Sequence, residues 1–215
     1  MTFDKFKNLY TNIQNMPLPG ENSQLKMAPA ARLVEEKILS KQANNARKAG
    51  VMVLFYGEND LHVALIRRTY DGSVHSGQIS FPGGELESVD KNLLDTAKRE
   101  LYEEIGVREE KYEVIKELTD IYIPPSNFYV QPYLAICHTP PIFYKQDLEV
   151  AEVLQVPIKQ VLDDNNLINT ELKSAYNTII EVPAFKFDGH IVWGATAMIL
   201  HEVRDLIKHV NQQIA

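Results

Sequence analysis

Glu100, Glu103 and Glu104 directly follow Arg99 in a stretch with helical periodicity. Carboxylates on adjoining helical positions are one way to hold a divalent cation. At about 100° per residue, Leu94, Ala97, Leu101 and Ile105 fall on one apolar stripe and the three glutamates share the adjacent arc. Like charges at these spacings repel, so the arrangement calls for solvent, a basic partner or a bound cation. Hard oxygen ligands favour Mg²⁺ or Mn²⁺. Arg99 is placed to fix the orientation of a carboxylate. Just upstream, Phe81-Pro82-Gly83-Gly84 lets backbone approach a metal or phosphate where a Cβ would interfere. Three glutamates alone read more readily as a solvated acidic face, and it is the flanking residues that favour a metal site.

These side chains need a frame, and the punctuation of the chain predicts one of the α+β class. A helix over Asn92 to Ile105 ends at Gly106, a fitting C-cap. Val51 to Tyr56 and His62 to Arg68 flank the turn-forming Gly57-Glu58-Asn59-Asp60 and should pair antiparallel. Ile79 to Pro82 reads as a short extended piece; Tyr112 to Ile123, Phe128 to Cys137 and Val150 to Val156 are β-rich. Gly194 to Gln213 reads as a closing helix that buries Ala197, Leu200, Val203, Leu206, Ile207 and Val210. Ahead of these, Phe3, Phe6, Leu9, Tyr10 and Ile13 have helical spacing, Pro17 and Pro19-Gly20 stop that helix, and Ala31 to Gln42 reads as a second one. We therefore expect an N-terminal helical extension over 1–46 and a domain over 47–215 in which a mixed sheet is covered by helices.

Composition narrows the functions. No apolar run approaches the roughly 20 residues of a membrane helix, and the N-terminus lacks the pattern of a secretory signal, so a soluble, cytoplasmic protein is expected. Cys137 is the only cysteine, which excludes an intrachain disulfide and a thiolate metal cage. A formal charge of -7 disfavours a broad nucleic-acid surface while permitting a local basic pocket for a small anion.

The run Arg99-Glu100-Leu101-Tyr102-Glu103-Glu104-Ile105-Gly106-Val107 resembles the second half of the signature of the Nudix hydrolases. Between Gly84 and Arg99 the spacing is one residue longer than the general signature, and Glu87 or Asp90 stands where a glutamate is expected. In this the chain is similar to the coenzyme A diphosphatase subgroup. The arm Leu65 to Gly84, with Leu65-Ile66-Arg67-Arg68-Thr69 and His75 to Gly84, resembles that subgroup too, as do Phe128 to Pro132, Glu149 to Val153 and Trp193 to Ala197. The resemblance runs from about Met27 to Leu200. It departs at Ser73, where the subgroup usually carries another arginine.

The resemblance implies attack of metal-activated water on one phosphorus of a diphosphate. Glu100 and Glu104 would be metal ligands with Glu103 third, and the Gly84 carbonyl would complete the shell. Arg99 would orient Glu100. Glu149 is the implied general base, with Glu152 as runner-up and an exposed strand-edge carboxylate as the bland reading of either. His75 would donate to a substrate phosphate or cap its own turn. Arg67 and Arg68 lie consecutively on a strand, so only one can readily face the site, and Arg68 fits better. Trp193 and Phe185 read as core, and Asn127, Phe128 and Tyr129 as cleft lining or an ordinary strand start. The implied substrate is coenzyme A or a thioester of it, with no nucleic-acid or membrane partner, in a homodimer. Hydrolysis of ADP-ribose, a dinucleotide or a nucleoside triphosphate stays open, as does a non-catalytic nucleotide sensor.

Overall fold

The computed structural model describes residues 1–30, 45–173 and 178–214. The helix expected over Ala31 to Gln42 lies outside those residues. The frame is built on two long strands, β1 (Arg47–Tyr56) and β7 (Phe128–Cys137), which pair in parallel from Arg47↔Phe128 to Tyr56↔Cys137. Both are apolar on both faces, as strands covered on each side must be. β2 (His62–Arg68) pairs antiparallel with β1 beside the turn, at Phe55↔Val63 and Tyr56↔His62. Beyond that register β1 takes β4 (Gly83–Glu85) as partner, while β2 takes β3 (Ile79–Ser80) and β8 (Val150–Pro157). β5 (Tyr112–Glu117) and β6 (Ile121–Ile123) both pair with β7 and complete a mixed eight-stranded sheet.

Alternation along β1 and β2 divides the core in two. Met52, Leu54, Ala64 and Ile66 point to a helix, α3 (Leu93–Ile105), whose Ala97, Leu101 and Ile105 meet them. Val53, Phe55, Val63 and Leu65 point the other way, into a larger cluster with α1 (Phe3–Asn15) and α5 (Gly194–Ile214). The stripe expected of the closing helix is there: Ala197, Leu200, Val203, Leu206, Ile207 and Val210 are all buried. Phe3, Phe6, Leu9 and Ile13 of α1 are buried in that same cluster, and Phe6 meets Phe55 edge-on at 5.1 Å. The N-terminal helix thus closes the core. A short helix α2 (Glu21–Gln24) docks on α5 through Ser23, whose hydroxyl donates to Asp205 at 2.8 Å.

After the short helix α4 (Ile158–Leu162), the chain forms a three-stranded sheet of β9 (Leu167–Lys173), β10 (Ile179–Phe187) and β11 (His190–Trp193). No strands are expected there from the sequence. The β10–β11 hairpin carries its own signal, the two-residue turn Asp188-Gly189 with φ of 47° and 91°. Phe185 of β10 lies in the core and Trp193 is half-buried where β11 meets α5. No described helix is long and apolar enough to cross a membrane.

Candidate active site

The helix α3 is locally well specified. Asn92 caps it by accepting from the Asp95 N–H at 2.9 Å, and Gly106 ends it in the left-handed region at φ 75°. With Ala97, Leu101 and Ile105 fixed in the core, the residues at 100 and 104 are turned toward β4 and the end of β2. Glu104 is 1% exposed; its carboxylate accepts from the Gly83 N–H at 2.9 Å and lies 3.7 Å from an Arg68 guanidinium nitrogen. The Arg68 Nε is buried with no hydrogen-bond partner among the described residues. Glu100 sits one turn earlier against Gly84, where an added Cβ would come within 2.2 Å of its Oε1. A Cβ at this position would push the Glu100 carboxylate aside, so it is the contact and not a backbone angle that favours glycine.

A third carboxylate arrives from another part of the chain. The first and last turns of a helix leave backbone groups unsatisfied, and the C-terminal carbonyls of α3 take theirs from a loop. Tyr144 N–H donates to the Ile105 carbonyl at 3.0 Å and Gln146 N–H to the Glu104 carbonyl at 2.9 Å. From there the chain turns into β8, and the Glu149 carbonyl accepts from Thr69 N–H, just past β2, at 2.9 Å. Each of Glu100, Glu104 and Glu149 thereby offers an oxygen, and the three oxygens lie within 4.8 Å of one another.

Arg99 fixes the outer side of this cluster. It forms a two-pronged bond to Asp90, 3.0 Å at each contact, and its Nη1 donates to Glu100 at 2.8 Å and Glu103 at 2.9 Å. Asp90 also accepts from the Thr96 hydroxyl and the Glu87 N–H. Bonding to Arg99 first, and these donors next, holds the Asp90 carboxyl down at about 2, while Arg99 is itself held more firmly protonated. The sequence marked Asp90 as standing where an acid is expected; that it grips Arg99 is seen in the fold.

Glu100 and Glu104 behave in the opposite sense. Burial is the main cause that pushes Glu104 up to about 8; Glu100 and Glu149 add to it, and the Gly83 N–H and Arg68 oppose it. Glu100 is also raised, by burial first, despite Arg99. Glu100 and Glu104, this close and this poorly hydrated, resist joint ionisation unless positive charge joins them, so together with the Glu149 oxygen they fit a hard divalent cation.

The remaining expected residues are distributed unevenly. Glu103 lies half-exposed outside the triad and pairs with Arg99. Arg67 points away from Arg68, as strand alternation requires, and its Nε donates to Glu152 on the neighbouring strand at 3.1 Å. The His75 ring meets the Gln78 side chain of its own loop at 3.0 Å. Asn127 takes a left-handed conformation, and Phe128 lies under the Arg47 guanidinium at 4.0 Å. Of the three residues expected to bind substrate, Arg68 alone reaches the carboxylates.

Gly84→Ala is expected to displace the Glu100 carboxylate and lower Mn²⁺ affinity about tenfold or more, with little loss of thermal stability. A manganese titration beside a melting curve checks this, and unchanged affinity would contradict the contact.

The chain is also similar to known proteins. The NUDIX domain model matches residues 46–171. The chain is 28% identical over 186 residues to the protein of Pectobacterium atrosepticum described as "Uncharacterized Nudix hydrolase NudL", covering 84% of this chain and 88% of that one. It is 25% identical to the protein of the same description from Photorhabdus laumondii, over 77% and 88% of the two chains. Among solved structures, a MutT/nudix family protein from Enterococcus faecalis shares the fold at a TM-score of 0.51 and 16% identity, over 92% of this chain and 76% of that one.

Proposed function

From the premise that this chain belongs to the Nudix family of diphosphate hydrolases, we propose that it cleaves coenzyme A or a thioester of it into 4'-phosphopantetheine and adenosine 3',5'-bisphosphate. The observation that carries the reading is the meeting of Glu100, Glu104 and Glu149 beside Arg68. Support for coenzyme A comes from the arm Leu65 to Gly84 and from the longer spacing between Gly84 and Arg99.

In this reading Glu100 and Glu104 would hold Mg²⁺ or Mn²⁺, with the Gly84 carbonyl beside them. When bound, the cation neutralises charge on the phosphoryl oxygens and acidifies its water. Arg99, anchored by Asp90, keeps the Glu100 carboxylate in one orientation. Glu149 is the exposed member of the triad, so it can meet solvent and accept the proton of the attacking water. Arg68 provides positive charge for a phosphoryl oxygen. Departure of the phosphopantetheine or the nucleotide then completes hydrolysis.

Incubating the protein and Mn²⁺ with coenzyme A, ADP-ribose, NADH and a nucleoside triphosphate tests this. Adenosine 3',5'-bisphosphate is expected as the dominant product. A preference for ADP-ribose would replace the substrate assignment, a reading kept open by Ser73 where the arm would otherwise carry an arginine. Turnover of none of the four would favour a nucleotide sensor.

A further inference from the structure

Two residues hold the backbone on either side of Glu149. In the peptide before it, the Leu148 carbonyl accepts from the Thr69 hydroxyl at 2.8 Å and the Glu149 N–H donates to the Gln146 carbonyl at 3.1 Å. In the peptide after it, the Glu149 carbonyl accepts from the Thr69 N–H at 2.9 Å and the Val150 N–H donates to that same Gln146 carbonyl at 2.8 Å. Peptide units are planar, so φ and ψ of a residue are set by the two planes that flank it. Tying every polar group of both planes therefore sets the direction in which the Glu149 side chain leaves the chain.

Both holders are anchored in turn. Gln146 N–H donates to the Glu104 carbonyl at 2.9 Å, which ties that holder to the helix bearing Glu100 and Glu104. Thr69 directly follows Arg68, and its own carbonyl accepts from the Gly77 N–H at 3.1 Å. Glu149 and Leu148 are exposed, so burial does not fix this segment, and its hydrogen bonds must. Precision matters here, because a misplacement of about 1 Å of a reacting group can cost on the order of a hundredfold in rate. Three of the four contacts join backbone to backbone and are open to almost any residue type. The fourth requires a hydroxyl at position 69. Valine there would keep the branched shape and leave the Leu148 carbonyl without this donor.

We propose that Thr69 is a positioning residue for the hydrolysis: its hydroxyl, through the Leu148 carbonyl, sets the Glu149 carboxylate where it takes the proton of the attacking water. This rests on the reading of Glu149 as proton acceptor and holds whichever nucleotide is the substrate. The test is a cycle of Thr69→Val and Glu149→Gln, with Thr69→Ser beside it. It is read as kcat and KM, with Mn²⁺, on whichever of the four nucleotides above is hydrolysed fastest. Thr69→Val is expected to lower kcat about tenfold and to leave KM within about twofold of wild type. Thr69→Ser keeps the donor and is expected to recover most of that loss. In the Glu149→Gln background, itself about a hundredfold slower, Thr69→Val is expected to change kcat by less than about twofold, because the group it places is gone. No loss in Thr69→Val, a loss confined to KM, a serine no better than valine, or an equal loss in both backgrounds would each overturn the proposal and leave Glu149 its role. A general loss of fold would show as that equal loss and so counts against the proposal too. Wild-type kcat in Glu149→Gln would remove the proton-acceptor reading and this proposal with it.

Discussion

Glu104→Gln is expected to lower kcat by about 10²–10³-fold while the protein keeps its fold. The glutamine carbonyl can still accept from the Gly83 N–H, so the buried position keeps its hydrogen bond. What is lost is a negative oxygen from a cluster whose three members lie within 4.8 Å of one another, and with it a ligand for the cation. Circular dichroism and a melting curve report the fold, and product formation from coenzyme A reports the rate. Near wild-type turnover would remove Glu104 from the chemistry.

A second large effect concerns stability in the absence of metal. The Glu104 carboxyl has an ordinary value of 4.5 when the chain is unfolded and is raised to about 8 in the fold. Below pH 4.5 both states keep the proton and the folded state has its full stability. Between those values the unfolded state ionises first, so stability falls as pH rises; above about 8 both are ionised and the fall ends. The loss from pH 5 to pH 8 should be of the order of 3–5 kcal/mol as an upper range, at roughly 1.4 kcal/mol per pH unit. The raised Glu100 acts in the same direction. Groups whose values are lowered act oppositely: burial depresses His201, which costs stability on acidification through about 6.5, and Asp90, Asp205 and Asp71 do so only below about 3.8. Urea unfolding in chelator from pH 5 to 8, on wild type and Glu104→Gln, isolates the Glu104 part as their difference. Manganese should abolish much of the slope in the wild type. Parallel pH profiles for the two proteins would contradict this account.

Much of this site could be read from residue order because its main helix is locally determined. Asn92, the apolar stripe and Gly106 bound α3 at Leu93–Ile105 without tertiary help, and the strand Phe128–Cys137 falls where its apolar run does. The alternation of a strand separates Arg67 from Arg68 by geometry alone. Periodicity could not rank Glu103 against Glu104, which share an arc; burial under Gly83 and pairing with Arg99 separate them. Nor could it show that Glu149 is carried to the helix by a loop satisfying the carbonyls of Glu104 and Ile105, since that contact spans some forty residues of chain. Gly84 was legible as an approach point, and the fold identifies what approaches it, the Glu100 carboxylate.

Calorimetric titration of the metal-free protein with Mn²⁺ at pH 7, in two buffers of different ionisation enthalpy, tests most directly whether the three carboxylates share one dication. Since Glu104 is raised to about 8 without metal, binding must displace its proton, and release of close to one proton per ion is expected, with affinity sharply reduced in Glu104→Gln. Manganese binding with no proton release, and with equal affinity in the variant, would contradict it.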